Sequence, residues 1–440
     1  MADFLKDLRE LVGGENFFDS RADLVALKSR PGFGRAPENL PLPEAAATPV
    51  NLAQVLDIFK LCRAHSREIN IFGSGSRPVV YRPKGEYILL STTRLSRVID
   101  IDPANRIVAV QAGARINALN EAIRGAGLYF PQFSNYAPSG TIGGALAANV
   151  ATVSGEKYGP IGSFALELEI VAGSLKRLCC SGQNGQPGKL VPSFPLAPLF
   201  CGSFGCLGLI GAVALKALPI PEKLESLIAV FPEDIRAAEA VAGIAQAPVP
   251  PERLLIESRA ASFLANAGDD KARLFISYAG SRGDVGSALA RARDILKNCG
   301  VLEIMSPERA PVSLPAALGK LKEPYLLVSF SALPSRLPAA AEAVEKICRE
   351  NGSRFLFYGS PPNLTFALTG KESEKAKREI FHLELTLNNR LHSEDDLALD
   401  KAPWSKQRGE ITDISSEIRK IFDPYGLFAG APYPDEEECW

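Results

Sequence analysis

Backbone amides can converge on a phosphate only where no Cβ atoms intervene, so closely spaced glycines mark where this sequence could hold an anionic cofactor. Four such segments occur. Gly73-Ser74-Gly75-Ser76-Arg77 combines small and hydroxylated residues with a cation. Pro138-Ser139-Gly140-Thr141-Ile142-Gly143-Gly144-Ala145-Leu146-Ala147-Ala148-Asn149 is the longest. Gly155-Glu156-Lys157-Tyr158-Gly159 follows it, and Gly202-Ser203-Phe204-Gly205-Cys206-Leu207-Gly208-Leu209-Ile210 is the fourth. A single glycine cluster more often makes a turn than binds a ligand. Four in one part of the chain point to a ligand held by backbone donors.

Other nucleotide and nucleophile motifs fail on context. Gly73 and Gly75 do not open a Rossmann unit, because Pro78 and the residues up to Lys84 do not start a helix. The stretch Gly182 to Lys189 misses the Walker spacing by one, and Leu190 stands where a hydroxyl is needed. There is no G-x-S-x-G elbow and no H-E-x-x-H helix. The chain has three histidines. His65 closes a helical stretch, and His382 alternates with apolar neighbours in Phe381-His382-Leu383-Glu384-Leu385, so both read as packed or surface groups. His392 is the candidate general base, since imidazole titrates near neutrality and Arg390 beside it could hold a carboxylate. Asn135 and Tyr136 precede the second glycine segment, and Arg253 and Arg259 are candidates for an anionic substrate.

The elements that must position these residues are legible from periodicity. Helices are predicted at Asp3 to Val12, over 51–65 and at Ile116 to Arg124, the last closed by Gly125 and Gly127. Short strands are predicted at Ile69 to Phe72, Tyr87 to Leu90, Val98 to Ile101, Ile107 to Gln111, Glu167 to Val171 and Leu209 to Leu215. Residues 1–44 read as a proline-studded lead-in along the surface. After Pro219-Ile220-Pro221 the texture changes to long Ala- and Glu-rich helices alternating with strands. Helices are expected at Asp234 to Gln246, Gly286 to Lys297 and Leu337 to Glu350, and strands at Leu274 to Tyr278, Tyr325 to Phe330 and Phe355 to Tyr358. This alternation predicts an antiparallel sheet with helices on one face and a domain boundary near 221.

Composition removes whole classes of function. At 440 residues the chain has room for two or three domains at about 150 residues each. Its 49 Lys and Arg balance 50 Asp and Glu, against the basic excess of a nucleic-acid binder. No two of the eight cysteines have C-x-x-C spacing, so a zinc or iron–sulfur site within the chain is not expected. The charged N-terminus lacks the apolar core of a secretory signal, and a cytoplasmic, reducing setting is expected. The apolar stretch Leu199 to Leu215 contains four glycines and reads as a glycine loop feeding a buried strand, so no transmembrane segment is expected. The acidic run Asp435 to Trp440 reads as a solvated tail or as a docking segment for a basic partner.

In order as well as content, these segments resemble the FAD-binding vanillyl-alcohol oxidase and p-cresol methylhydroxylase superfamily, in its glycolate oxidase and D-lactate dehydrogenase branch. Gly73 to Arg77 is similar to that family's pyrophosphate loop, and Ile99-Asp100-Ile101-Asp102 through Gly113 to its strand-then-glycine segment. Pro138 to Asn149 resembles its second flavin loop, Tyr158-Gly159 its tyrosine-glycine pair, and Gly202 to Ile210 its G-S-x-G-x-L-G-I signature. Phe422-Asp423-Pro424-Tyr425-Gly426-Leu427-Phe428 is similar to its closing F-D-P-x-G-I-L stretch.

The resemblance implies an α+β architecture, with a two-subdomain FAD-binding domain over 45–220 and an α+β cap with an antiparallel sheet over 221–405. A C-terminal segment, 406–440, would return to the FAD domain. It implies FAD contacts at Gly73, Ser74, Gly75, Ser76, Arg77, Pro138, Ser139, Gly140, Thr141, Gly143, Gly144, Ala148, Tyr158, Gly202, Gly205, Gly208 and Ile210. Covalent members carry a His in the pyrophosphate loop; Ser76 stands there, so non-covalent FAD is expected. The implied activity is oxidation of a small 2-hydroxy acid, with electrons leaving to an iron–sulfur or electron-transfer flavoprotein partner.

Three departures are visible. Phe72 replaces the usual Arg, Ala429-Gly430-Ala431 replaces Asn-Pro-Gly, and the G-E-H-G motif that abstracts the proton is absent, with His392 in the region where it would fall. Two other readings stay open: a non-catalytic FAD-binding relay or structural subunit, and an FAD enzyme for another alcohol or sugar.

Overall fold

The computed structural model describes residues 2–28, 42–75, 83–131, 140–150, 155–181, 196–264, 270–306, 325–331, 333–352, 354–360, 363–369, 375–376, 379 and 417–428. Three large sheets and one two-stranded pair organise them. The first is a four-stranded sheet in the order Phe17–Phe18, Ala45–Ala47, Tyr87–Ser91, Glu68–Phe72. Its last three strands are parallel, and Phe17–Phe18 joins antiparallel. All five residues of Tyr87–Ser91 are buried, as a central strand covered on both faces requires. Ile88 and Leu90 enter one core, while Tyr87 and Leu89 enter another with Phe72 and Leu24.

Helix Leu52–Ala64 starts at Asn51, whose side chain accepts the N–H of Gln54 at 2.9 Å. Gln54 Oε1 accepts the N–H of Val50 in return, a variant of the capping box. His65 closes this helix, its ring 5.4 Å from that of Phe4. The N-terminal lead-in starts with a helix docked through one face. Helix Ala2–Val12 buries Phe4 and Leu8 completely, four residues apart on one face, against the core that contains Val55, Ile58 and Phe59.

The second sheet is antiparallel, in the order Val98–Asp102, Ile107–Gln111, Gly208–Lys216, Ala165–Ala172, Arg177–Ser181. Helix Ile116–Arg124 packs on it through Ile116, Leu119 and Ile123. The described C-terminal stretch is built into these two sheets. Phe428 forms a parallel bridge with Ile69, and Ser174 N–H donates to Phe422 O at 2.8 Å. The buried Asp423 carboxylate accepts the N–H groups of Leu427 and Phe428, and a Cβ on Gly173 would lie 2.4 Å from its Oδ1. Burial pushes the Asp423 carboxyl above the usual carboxylate range.

The chain leaves this half through Leu218–Pro219, paired with Leu128–Tyr129, and Ile220 N–H donates to Gly127 O at 3.0 Å. A seven-stranded sheet begins at Lys223. Its order is Glu303–Met305, Lys223–Phe231, Ala272–Gly280, Arg253–Glu257, Arg354–Ser360, Asn363–Thr369, Tyr325–Ser331, antiparallel throughout. Leu227, Ala229 and Phe231 alternate onto the face covered by helices Asp234–Ala245, Arg282–Asn298 and Leu337–Glu350. Ile228, Val230, Leu255 and Phe275, on the opposite face, are also buried.

Candidate functional site

Strand Glu68–Phe72 delivers Gly73-Ser74-Gly75 to the start of a short helix, Ile142–Ala147. The contact is very close. A Cβ on Gly73 would lie 2.1 Å from Thr141 Oγ1, and one on Gly144 would lie 2.9 Å from the same atom. Thr141 is buried, and its hydroxyl caps the helix by accepting the N–H of Gly144 at 3.2 Å. The backbone on the far side is equally tight. Thr141 bridges Arg115, Gly143 N–H donates to Ala112 O at 2.7 Å, and a Cβ on Gly113 would sit 1.8 Å from Thr92 O. Gly140 lies at the edge of this contact, its carbonyl accepting the N–H of Ile116.

At the tip of the first loop, Ser74 Oγ is buried with no hydrogen-bond partner among the described residues. A buried hydroxyl left unpaired costs about 1–3 kcal/mol, which an acceptor ligand at that spot would remove. A hydroxyl donor in a turn with no room for side chains fits the diphosphate of FAD.

The fourth glycine segment wraps the other end of the same helix. Gly202 N–H donates to Leu146 O and Phe204 N–H to Ala147 O. Gly202 and Gly205 take φ of +89° and +82°, which only glycine adopts without strain. Gly205 also approaches Ile71 of the first sheet. Ala148 N–H donates to Gly144 O, and Asn149 Oδ1 accepts the N–H of Gly162. Gly208 begins strand Gly208–Lys216, where a Cβ would meet Ile170 and Val171 O, and the Ile210 side chain lies in the core. Segments one, two and four therefore meet around one helix.

Tyr158 lies differently. Its hydroxyl donates to Glu252 Oε2 at 2.8 Å and lies 3.0 Å from Tyr129 Oη. Tyr129 in turn reaches Glu252 Oε1 at 3.1 Å, and Lys157 Nζ reaches Oε2 at 3.0 Å. Burial pushes the Tyr129 phenol up to about 12. Tyr158 is pushed higher still, first by burial and then by its bonds to Tyr129 and the Glu252 carboxylate. Both phenols therefore keep their hydrogens at neutral pH and are hydrogen-bond donors.

Arg253 and Arg259 flank the same strand at its two ends. Arg253 adjoins Glu252, at the end that meets the first half of the chain. Arg259 is tied to the helix side, its N–H donating to Asp234 Oδ1 at 2.8 Å, and burial raises Asp234 to about 6. Ser76, Arg77, Asn135, Tyr136, Pro138, Ser139, Arg390 and His392 lie outside the described residues, as does His382. Two participants carry no local signal in the sequence: Tyr129 and Glu252 are brought to Tyr158 only by the tertiary fold. Thr141 could be read as a helix cap from the residues that follow it, had the glycines not masked the helix.

Among the described residues no group of His, Cys, Asp and Glu is arranged to hold a metal, and no helix is long and apolar enough to cross a membrane. A family model for an FAD binding domain matches residues 43–176. The glycolate oxidase subunit GlcD of Bacillus subtilis (strain 168) is 25% identical, over 97% of this chain and 95% of its own length. The probable mitochondrial D-lactate dehydrogenase of Danio rerio is 27% identical over 48% of this chain and 42% of its own. Substrate-bound p-cresol methylhydroxylase superposes with a TM-score of 0.71 at 16% identity, covering 97% of this chain and 95% of that one, a likeness of fold. Residues 43–176 are an FAD-binding domain, and the chain is an FAD-dependent oxidoreductase with the p-cresol methylhydroxylase fold, related to glycolate oxidase subunit GlcD and to D-lactate dehydrogenase.

Proposed function

We propose that this chain binds FAD without a covalent link, oxidises a small 2-hydroxy acid of the glycolate or lactate type to the 2-oxo acid, and passes the electrons to a separate protein. The observation that carries the substrate class is the length of the likeness to a protein named as a glycolate oxidase subunit, which runs through both halves of the chain. That name also supports a partner, and an iron–sulfur protein or electron-transfer flavoprotein fits a chain without C-x-x-C cysteines. When bound, FAD supplies the two-electron acceptor for the hydride on the carbinol carbon.

The chain's own residues do the rest. In this reading residues 45–220 hold the cofactor. Gly73, Ser74, Gly75, Ser76 and Arg77 grip the diphosphate, opposite Pro138, Ser139, Gly140, Thr141, Gly143, Gly144 and Ala148. Gly202, Gly205, Gly208 and Ile210 support that grip, and Tyr158 closes it. Residues 221–405 cover the reacting face and exclude water. His392 takes the hydroxyl proton, and Arg390 holds the carboxylate. The absence of a G-E-H-G motif favours a second reading, in which the chain relays electrons beside a catalytic partner.

An anaerobic absorption spectrum, followed by D-lactate, L-lactate and glycolate in turn, separates these readings. A band near about 450 nm that bleaches with one acid is expected. A band that stays oxidised with all three selects the relay subunit, and a chain without a band after reconstitution with FAD refutes both.

A further inference from the structure

The Glu252 carboxylate is the meeting point of the two halves. It precedes strand Arg253–Glu257 and is anchored to the seven-stranded sheet by its own N–H, which donates to Ser277 O at 2.7 Å. Its two oxygens accept from Tyr129, Tyr158 and Lys157, all in the first half. Lys157 Nζ also donates to Ala279 O at 3.2 Å, a second tie to the same sheet. Tyr129 belongs to the strand that pairs with Leu218–Pro219, where the chain itself crosses over. An exposed ion pair would contribute little. Here the Lys157 and Glu252 side chains are 21% and 13% exposed, and the carboxylate accepts three charge-assisted bonds.

Proton counting explains what a carboxylate contributes. Each phenol has one hydrogen, so the two phenols cannot make all three contacts (to each other at 3.0 Å and to the two Glu252 oxygens) as full hydrogen bonds at once, and a carboxylate that only accepts draws both hydrogens to itself. Glutamine could keep a closed ring by donating to one phenol and accepting from the other, but without charge for Lys157. Alanine keeps neither.

We propose that Glu252 is a positioning residue that fastens the seven-stranded sheet to the Lys157-Tyr158-Gly159 segment and so fixes where the covering half meets the flavin site. The functional part rests on the reading of Tyr158 as part of that site; the fastening itself does not.

The test uses the full chain as wild type, Glu252→Gln, Glu252→Ala, Tyr158→Phe and the Glu252→Ala/Tyr158→Phe double variant. Amide hydrogen exchange, read with and without added FAD, reports the fastening directly. Glu252→Ala should raise exchange about tenfold over 127–130, 155–160 and 252–257, the loss expected for a charged hydrogen-bond acceptor. Strands Asn363–Thr369 and Tyr325–Ser331, which are not paired with Arg253–Glu257, should not change. The double variant should exchange little faster than Glu252→Ala alone, because both remove one coupled unit. In the flavin-loaded protein, Glu252→Ala should keep its FAD content while flavin reduction at saturating hydroxy acid slows about tenfold, and Glu252→Gln should recover most of that loss.

Unchanged exchange in Glu252→Ala, or strictly additive effects, overturns the proposal. If Glu252→Ala does not fold, Tyr158→Phe, which removes one donor to Glu252, decides by the same readout. A wild type that binds no FAD would refute the proposed function while the exchange data still judge the fastening. Altered exchange with an unchanged reduction rate would overturn the positioning role.

Discussion

The glycine-lined region around Gly73, Thr141 and Gly144 and the Tyr129–Tyr158–Glu252 region are built on opposite principles. The first is made of backbone: its geometry exists because side chains are missing, and a Cβ on Gly73 has nowhere to go. The second is made of side-chain ends, three donors around one carboxylate, carried by strand Leu128–Tyr129, the helix Gly155–Tyr158 and the residue before strand Arg253–Glu257. A site of the first kind tolerates almost no addition, whereas one of the second kind degrades by degrees as donors are lost. The glycine-lined region should therefore fail abruptly under substitution and the Glu252 cluster gradually.

The sharpest way to break this contrast is Gly113→Ala. Its Cβ would sit 1.8 Å from a backbone carbonyl that cannot rotate away. Overpacking of this kind costs about 3 kcal/mol, read as a lower urea midpoint at unchanged slope, and FAD should be lost with it. A wild-type midpoint would mean that the two backbones separate freely, and the contrast would collapse.

Leu254→Ala tests the other side, with an expected loss of about 2–3 kcal/mol from a buried core position. Its FAD affinity, measured by fluorescence titration, should stay at the wild-type value, since Leu254 lies among the helices of the second half. Gly73→Ala comes next, with FAD affinity weakened by at least about tenfold. Adding Thr141→Ala should restore part of that affinity, because it removes the atom the new Cβ strikes. Failure of the double variant to recover would locate the problem in the loop's conformation instead of the contact. The mildest change is Ser74→Ala, which should weaken FAD by about fivefold, the value of one hydrogen bond, while the flavin-free chain unfolds at a urea midpoint no lower than wild type.

Legibility in the sequence follows the same division. Helices Ile116–Arg124 and Leu337–Glu350 have the bounds that periodicity predicts, because each buries one apolar stripe. The glycine turn before Gly208–Lys216 is likewise where the sequence places it. Helix Ile142–Ala147 was hidden by Gly143 and Gly144, poor helix formers that are there for close approach to Ala112 and Gly73. Strand Lys223–Phe231 escaped notice because its polar start and continuous apolar end follow neither strand alternation nor helical spacing. Glu252 could not be found at all, since its partners lie 94 to 123 residues away and nothing local marks it.

The bridge between Ile69 and Phe428 carries a consequence for biosynthesis. Strand Glu68–Phe72 is the last strand of its sheet, and it is closed by residues that leave the ribosome about 350 positions later. At about 5–20 residues per second, that edge stays open for roughly 20 to 70 s while the rest of the chain is translated. During that time the strand that presents Gly73 is an unpaired template for misassociation. The cofactor half, although first to be made, is among the last parts of the molecule to be finished.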